Sequence, residues 1–389
     1  MKIAIDLRPL QSGHRFRGIG KYIANVMPAL FEQAKEHEIY CYHYGDKAPE
    51  LVYPQNVQLV SVGNYDPQAL KSKIYRKLYM NQPEIKNGYR PADVFFQPDI
   101  SFGIRKDTAT VVVLYDLIPL VYREQYFSPR LKPAALSPIW KWRAEQVARQ
   151  FEKLNTRFQR TQHIVSISKA SIEDLHKMFP GTSDIPYTVT PLAAQSLPQP
   201  SAKQIYKKPY FMYVGGTDSR KNLERLIDMF ARAVAKGVKE DLVLIGHDFK
   251  QKDFNDTMLL LRHIEKSNIK SRIKIIGYVN DEELSTYYSQ ATAMVFPSNY
   301  EGFGMPVLEA MQASCPVICF NNSSIPEVAG DSALMVESED QFIKAIIDIS
   351  HKPKLREKLI LSGKQRAGQF SWEKTAALTL SALERAAKP

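Results

Sequence analysis

Short apolar runs alternate with amphipathic stretches along the whole sequence, and the alternation occurs twice. Strand-like runs fall at residues 2–6, 39–44, 57–62, 94–96, 110–115 and 164–167, with helical patterns such as 20–36 and 144–161 between several of them. Strands separated by helical stretches cannot pair as tight hairpins, so the pattern predicts a parallel sheet with helices on both faces. The segment Ser196-Leu197-Pro198-Gln199-Pro200-Ser201-Ala202-Lys203 breaks the pattern with proline and small polar residues. A second series follows at 210–214, 241–245, 273–276, 293–296 and 316–320. A chain of 389 residues is long enough for two such cores. The expected organisation is an α/β domain over 1–195, a linker over 196–206 and a second α/β domain over 207–372. Both are Rossmann-like, facing one central cleft.

The chemistry concentrates in the second half. Glu301-Gly302-Phe303-Gly304-Met305-Pro306-Val307-Leu308-Glu309 sets two carboxylates eight residues apart around a glycine turn. The apolar run 293–296 precedes it, Pro306 suits the start of a helix, and Val307, Leu308 and Met311 give that helix one apolar face. The order is strand, loop, helix. Gly302 and Gly304 let a ligand approach the backbone, and the uncapped N–H groups of the helix start can receive negative or hydroxyl oxygens. Glu301 is expected before the loop and Glu309 in the first helical turn, one accepting hydrogen bonds from sugar hydroxyls and the other from a ribose. Read singly, Glu309 does no more than complement a helix dipole and Glu301 is a solvated loop charge. Their joint spacing with two glycines and a proline points to a nucleotide-sugar site.

A second cluster lies in Gly215-Gly216-Thr217-Asp218-Ser219-Arg220-Lys221-Asn222, between the run 210–214 and a helix expected to begin near Asn222. Two cations at the positive end of a helix oppose its dipole by a few tenths to about 1 kcal/mol each. An anion such as a diphosphate converts that cost into attraction, with roughly 1.5–3 kcal/mol for each hydrogen bond to a charged group. The plainer reading is a solvated basic pair.

The segment from Pro297 through Met311 resembles the E-x7-E signature of retaining glycosyltransferases of the GT-B fold, in the family 4 (group 1) enzymes of bacterial polysaccharide and glycolipid synthesis. The likeness extends over nearly the whole chain. Arg17-Gly18-Ile19-Gly20-Lys21-Tyr22 resembles the N-terminal glycine loop, and Tyr115-Asp116-Leu117-Ile118-Pro119-Leu120 the family's His-Asp-Leu-Ile-Pro segment. The turn from Gly215 to Asn222 is similar to the diphosphate-binding turn, Ser323-Ser324-Ile325-Pro326-Glu327-Val328 to a loop after the signature helix, and Phe370-Ser371-Trp372 to the entry of a closing helix. The resemblance implies that this helix, over 373–389, crosses back onto the first domain.

It also implies roles. Arg220, Lys221, Glu301, Tyr115 and Asp116 become the catalytic candidates. Donor binding falls to Gly18, Gly20, Gly216, Tyr278, Gly302, Phe303, Gly304, Met305, Pro306, Val307 and Glu309, with Glu309 on the ribose and Glu301 on the donor sugar. Arg220, Lys221 and the N–H groups after Gly304 would stabilise charge on the departing diphosphate without a metal or other cofactor. The sequence has no convincing Asp-x-Asp pair at a strand end. Three positions depart from the family pattern. Tyr115 stands where histidine is usual, Gly216 where arginine or threonine is common, and Ser314 where glycine is common. Tyr115 can donate a hydrogen bond but is no cation near neutral pH.

Charge suggests the other substrate. Residues 1–195 hold 26 Lys and Arg against 18 Asp and Glu, so this half carries +8 of the chain's +11. Basic residues interleave with aromatics in 71–80 and 140–143, followed by Arg149, Lys153, Arg157 and Arg160. Such a face suits an anionic membrane or a lipid diphosphate, at about 1 kcal/mol per exposed charge near anionic lipid. A solvated basic face with its aromatics packed inward is the alternative. No recognition motif for nucleic acid accompanies the charge. Three cysteines, without zinc spacing, fit a reducing compartment. The longest apolar stretch, 110–122, contains Asp116 and falls short of a spanning helix.

The expected function is transfer of a hexose, mannose from GDP-mannose first, to a lipid-linked saccharide or growing surface polysaccharide such as lipopolysaccharide. The expected place is the cytoplasm, peripheral to the inner face of the membrane. Two alternatives remain at this point: a non-catalytic GT-B subunit that stabilises a partner transferase, and a sugar-nucleotide epimerase.

Overall fold

A computed structural model describes residues 1–16, 18–63, 88–123, 149, 153–250 and 255–388. The basic segments 71–80 and 140–143, and most of the helical pattern 144–161, lie outside the described residues. The chain forms two compact units, each around its own parallel sheet. Of the described residues, those within 1–121, 142–192 and 371–389 make up the first, and those within 122–141 and 193–370 the second.

The first sheet contains β1 (Lys2–Asp6), β2 (Glu38–His43), β3 (Val57–Ser61), β4 (Val94–Gln97), β5 (Ala109–Leu114), β6 (His163–Ser166) and β7 (Tyr187–Val189). They lie side by side in the order β3-β2-β1-β4-β5-β6-β7, every pair parallel. The order steps outward from β1 in one direction and from β4 in the other, as in a doubly wound fold. The helix Gly18–Gln33 buries Tyr22, Ile23, Val26, Met27, Leu30 and Phe31. The helix Trp372–Ala386 packs against it, and Trp372 stands edge-on to Tyr22 at 6.4 Å. Thr375 Oγ1 donates to Pro191 O at 2.5 Å, fastening this last helix to the same unit.

The second sheet contains β8 (Tyr210–Val214), β9 (Asp241–Ile245), β10 (Ile273–Gly277), β11 (Ala293–Phe296), β12 (Val317–Phe320) and β13 (Leu334–Val336). Their order is β10-β9-β8-β11-β12-β13, again all parallel. β9 and β11 are buried at every residue, which is why β11 and residues 242–245 of β9 read as continuous apolar runs rather than alternating ones. The helix Leu223–Ala235 turns Leu223, Leu226, Ile227, Met229, Phe230 and Ala233 inward. Residues 196–206 hold no helix or strand. They lie along the helix Asp281–Gln290, with Ser201 N–H donating to Thr286 Oγ1 and Ile205 N–H to Gln290 Oε1.

β7 and β13 were not anticipated. Each has three residues at the margin of its sheet, too few for a periodic signal.

Candidate functional site

The order of the second sheet reverses between β8 and β11, so the loops leaving these strands are neighbours at its carboxyl edge. Open parallel sheets hold ligands at this position. The loop after β8 carries Arg220 and Lys221, and the loop after β11 carries Glu301.

Arg220 and Lys221 do not stand on the helix itself. They form the short 3-10 turn Ser219–Lys221, followed by Asn222 in the left-handed region (φ 59°) and a helix that begins at Leu223. Asp218 caps this turn by accepting from Arg220 N–H at 3.2 Å. Upstream, Tyr213 Oη donates to Gly216 O at 2.8 Å, and Thr217 N–H donates to Asp248 Oδ2 at 3.3 Å. The two loops are also joined through their backbones, since Asn299 N–H donates to Arg220 O at 2.9 Å.

Glu301 is buried and holds both cations. Lys221 Nζ lies 2.5 Å from Oε1, and Arg220 Nη1 lies 3.0 Å from Oε2 while also donating to Tyr300 O at 2.8 Å. Burial alone raises the Glu301 pKa, but Lys221 and Arg220 outweigh it and hold the carboxyl below the usual glutamate range. Lys221 Nζ also stands 5.3 Å from the centre of the Phe296 ring. The backbone of Glu301 is clamped from the loop after β12. Its N–H donates to Ser323 Oγ at 2.9 Å, and its carbonyl accepts from Ser324 Oγ at 2.9 Å. These two serines were expected only as a loop resembling one in the family, and their hold on Glu301 is visible only in three dimensions.

The signature helix runs from Met305 to Gln312 with Gly304 as its N-cap, at φ +105°. A Cβ on Gly304 would stand 2.7 Å from Ile325 Cδ1. Pro306 has no N–H, and the Val307 N–H is turned inward to Gly304 O at 2.9 Å. The N–H groups that this turn can present to a ligand therefore precede Pro306. Phe303 and Val307 are core side chains, buried with Gly302 and Gly304, while Met305 is half-buried. Glu309 is the fifth residue of the helix, hence in its second turn rather than the first, and is half-buried. The buried Tyr288 hydroxyl donates to Glu309 Oε2 at 3.4 Å. Sequence reasoning missed Tyr288, because nothing in the helix Asp281–Gln290 signals that this hydroxyl reaches a carboxylate 21 positions away.

Tyr278 follows β10 and is 69% exposed, with its ring edge toward His247 at 6.4 Å. The second unit thus brings Gly216, Arg220, Lys221, Glu301 and residues 302–307 to the loops at one sheet edge, with Glu309 a turn further on and Tyr278 on a flanking loop. Gly18, Gly20, Tyr115 and Asp116 belong to the first unit. Gly18 is exposed at the head of the helix Gly18–Gln33, and Gly20 is buried in its first turn. Tyr115 stands edge-on to Tyr22 at 5.5 Å, its hydroxyl buried with no hydrogen-bond partner among the described residues. Asp116 Oδ1 accepts from Ile118 N–H at 3.1 Å. Of the basic run, Arg157 is drawn inward, donating to Ile100 O and Ser101 O at 2.9 and 3.1 Å.

Residues 199–366 match the family described as glycosyl transferases group 1. The O-antigen chain mannosyltransferase B of Escherichia coli is 34% identical over 192 residues, covering 49% of this chain and 49% of that protein. The serotype-specific mannosyltransferase WbdA of Escherichia coli is 23% identical, covering 99% of this chain and 48% of that protein. The chain thus spans about half the length of these relatives. Among solved structures, sucrose-phosphate synthase from Thermosynechococcus elongatus aligns at a TM-score of 0.65 and 18% identity, covering 99% of this chain and 98% of that one. The two doubly wound parallel sheets are those of the GT-B fold.

Proposed function

We propose that this chain, whose residues 199–366 belong to the group 1 glycosyltransferase family, transfers mannose from GDP-mannose to a lipid-linked saccharide or growing surface polysaccharide, with retention and without a metal. The observation that carries the proposal is the placement of Arg220 and Lys221 against Glu301 at the switch point of the second sheet. Mannose is favoured because the relatives above are named as mannosyltransferases.

In this reading the donor diphosphate engages Arg220 and Lys221, Glu309 receives the ribose hydroxyls, and Glu301 turns to the donor sugar. Both cations are already gathered by Glu301, so the diphosphate meets a preorganised pair. The bond from the anomeric carbon to the diphosphate oxygen breaks as the acceptor oxygen attacks from the same face. The acceptor proton passes to the leaving phosphate oxygen, and the products are GDP and the extended saccharide. Tyr115 and Asp116 serve the acceptor in the first unit, and the enzyme acts at the cytoplasmic face of an anionic membrane.

The direct test is a thermal-shift series with GDP, UDP and ADP, followed by turnover with the matching mannose or glucose conjugates. Saturating ligand at 100 times its dissociation constant stabilises by about 2.7 kcal/mol. A shift with GDP and mannosyl transfer support the reading. A shift with UDP alone overturns the donor, and no shift with any nucleotide overturns the transferase.

A further inference from the structure

The first sheet also reverses its order, between β1 and β4. The segments that leave these two strands carry His14 and Asp99, and neither residue belongs to the motifs above. His14 Nδ1 lies 2.5 Å from Asp99 Oδ2, with the Asp99 side chain 5% exposed and the His14 side chain 33% exposed.

Asp99 is fixed from several sides. Its Oδ1 accepts from Ser101 N–H at 3.0 Å, and its own N–H donates to Gln97 Oε1 at 3.3 Å. Gln97 Nε2 donates to the buried Asp6 Oδ2 at 2.8 Å, and Asp6 in turn receives Arg8 Nη2 at 2.6 Å. His14 is equally confined. Its ring meets Phe102 edge-on at 6.0 Å, and its backbone N–H donates to Ser12 Oγ at 3.1 Å. The turn that carries it rests on Gly20, where a Cβ would lie 2.3 Å from Arg15 O. Gly20 is therefore required by close backbone packing beneath His14. Buried polar groups and a glycine contact together hold one partly exposed imidazole at the place where a parallel sheet receives ligand.

The Asp99 carboxylate beside Nδ1 leaves Nε2 as the ring nitrogen that can meet a ligand, as donor or acceptor. A sugar hydroxyl, which both donates and accepts, matches it. The donor-nucleotide machinery proposed above is built around the switch point of the second sheet, so the switch point of the first is left for the other substrate. We infer that His14, oriented by Asp99, binds a hydroxyl of the saccharide acceptor. This assignment rests on the glycosyltransferase reading and adds a residue to it.

The probe is methyl α-mannopyranoside, with binding followed by saturation-transfer NMR on the full chain. Wild type, His14→Ala and His14→Gln are compared, the glutamine retaining an acceptor of similar size. The expected result is at least tenfold weaker binding for His14→Ala and less than threefold for His14→Gln, with the GDP thermal shift equal in all three. Wild-type affinity in a folded His14→Ala protein overturns the assignment, as does absence of binding by wild type. Loss of both saccharide binding and cooperative melting in His14→Ala leaves His14→Phe, which keeps a ring and removes its nitrogens, to decide: tenfold weakening there in a folded protein with the GDP shift intact supports the assignment, and wild-type affinity overturns it. A missing GDP shift throughout, with the saccharide pattern intact, overturns the donor reading and leaves His14 assigned.

Discussion

Lys221 Nζ and Glu301 Oε1, 80 positions apart in the sequence, meet at 2.5 Å inside the second unit. Removing one member of a buried ion pair strands the other, at about 3–5 kcal/mol. Arg220 remains on Glu301, so Lys221→Met is expected to cost about 3 kcal/mol, read from the urea midpoint, and to abolish the nucleotide-induced thermal shift.

The acid limb of stability should report the same pair. The folded-state pKa of Glu301 is lowered from the ordinary 4.5, so its contribution is present above that value and is lost as pH falls through the folded pKa. Glu301→Gln removes this term. Urea titrations should show the gap between wild type and variant narrowing below pH 4.5 and constant near neutrality.

Two glycines separate conformation from space. Gly304→Ala places a side chain at φ +105° and 2.7 Å from Ile325 Cδ1, and should destabilise by about 1–3 kcal/mol. Gly18→Ala meets no atom within 4 Å at the head of a helix and should stabilise by about 0.4–1 kcal/mol. Melting curves of the two variants against wild type check both signs.

Tyr288→Phe removes the hydroxyl that steadies Glu309 while keeping the ring packed. The expected effect is a rise of about fivefold in donor KM, equivalent to about 1 kcal/mol, with little change in kcat. Steady-state kinetics at saturating acceptor measure it.

The cysteines should be silent in the folded protein. Cys41, Cys315 and Cys319 are all free and buried, and burial pushes the thiols of Cys315 and Cys319 up to about 12. A chromogenic disulfide reagent at pH 8 is expected to label none of them natively and all three in urea.

The parallel sheets were legible because β8 and β11, and the interiors of β1 and β9, are buried on both faces and so appear as apolar runs. The two loops at the second switch point were legible too, since glycines, cations and carboxylates cluster right after β8 and β11. The pairing between those loops was not. The family resemblance assigned Glu301 to a sugar, and the sequence placed Arg220 and Lys221 near a diphosphate; neither showed that the fold joins all three across 80 residues. His14 and Asp99 stayed hidden for the same reason, each being an unremarkable polar residue until β1 and β4 are known to be neighbours.

The helix Trp372–Ala386 has a consequence for how the protein is made. Thr375, Ala376, Thr379, Ala382 and Leu383 are buried within a unit whose other segments were translated before residue 193. As the chain leaves the ribosome, the first unit waits through synthesis of residues 193–370 before the helix Trp372–Ala386 arrives. A premature stop near residue 370 would thus injure the amino-terminal sheet while leaving the sequence of the second unit complete.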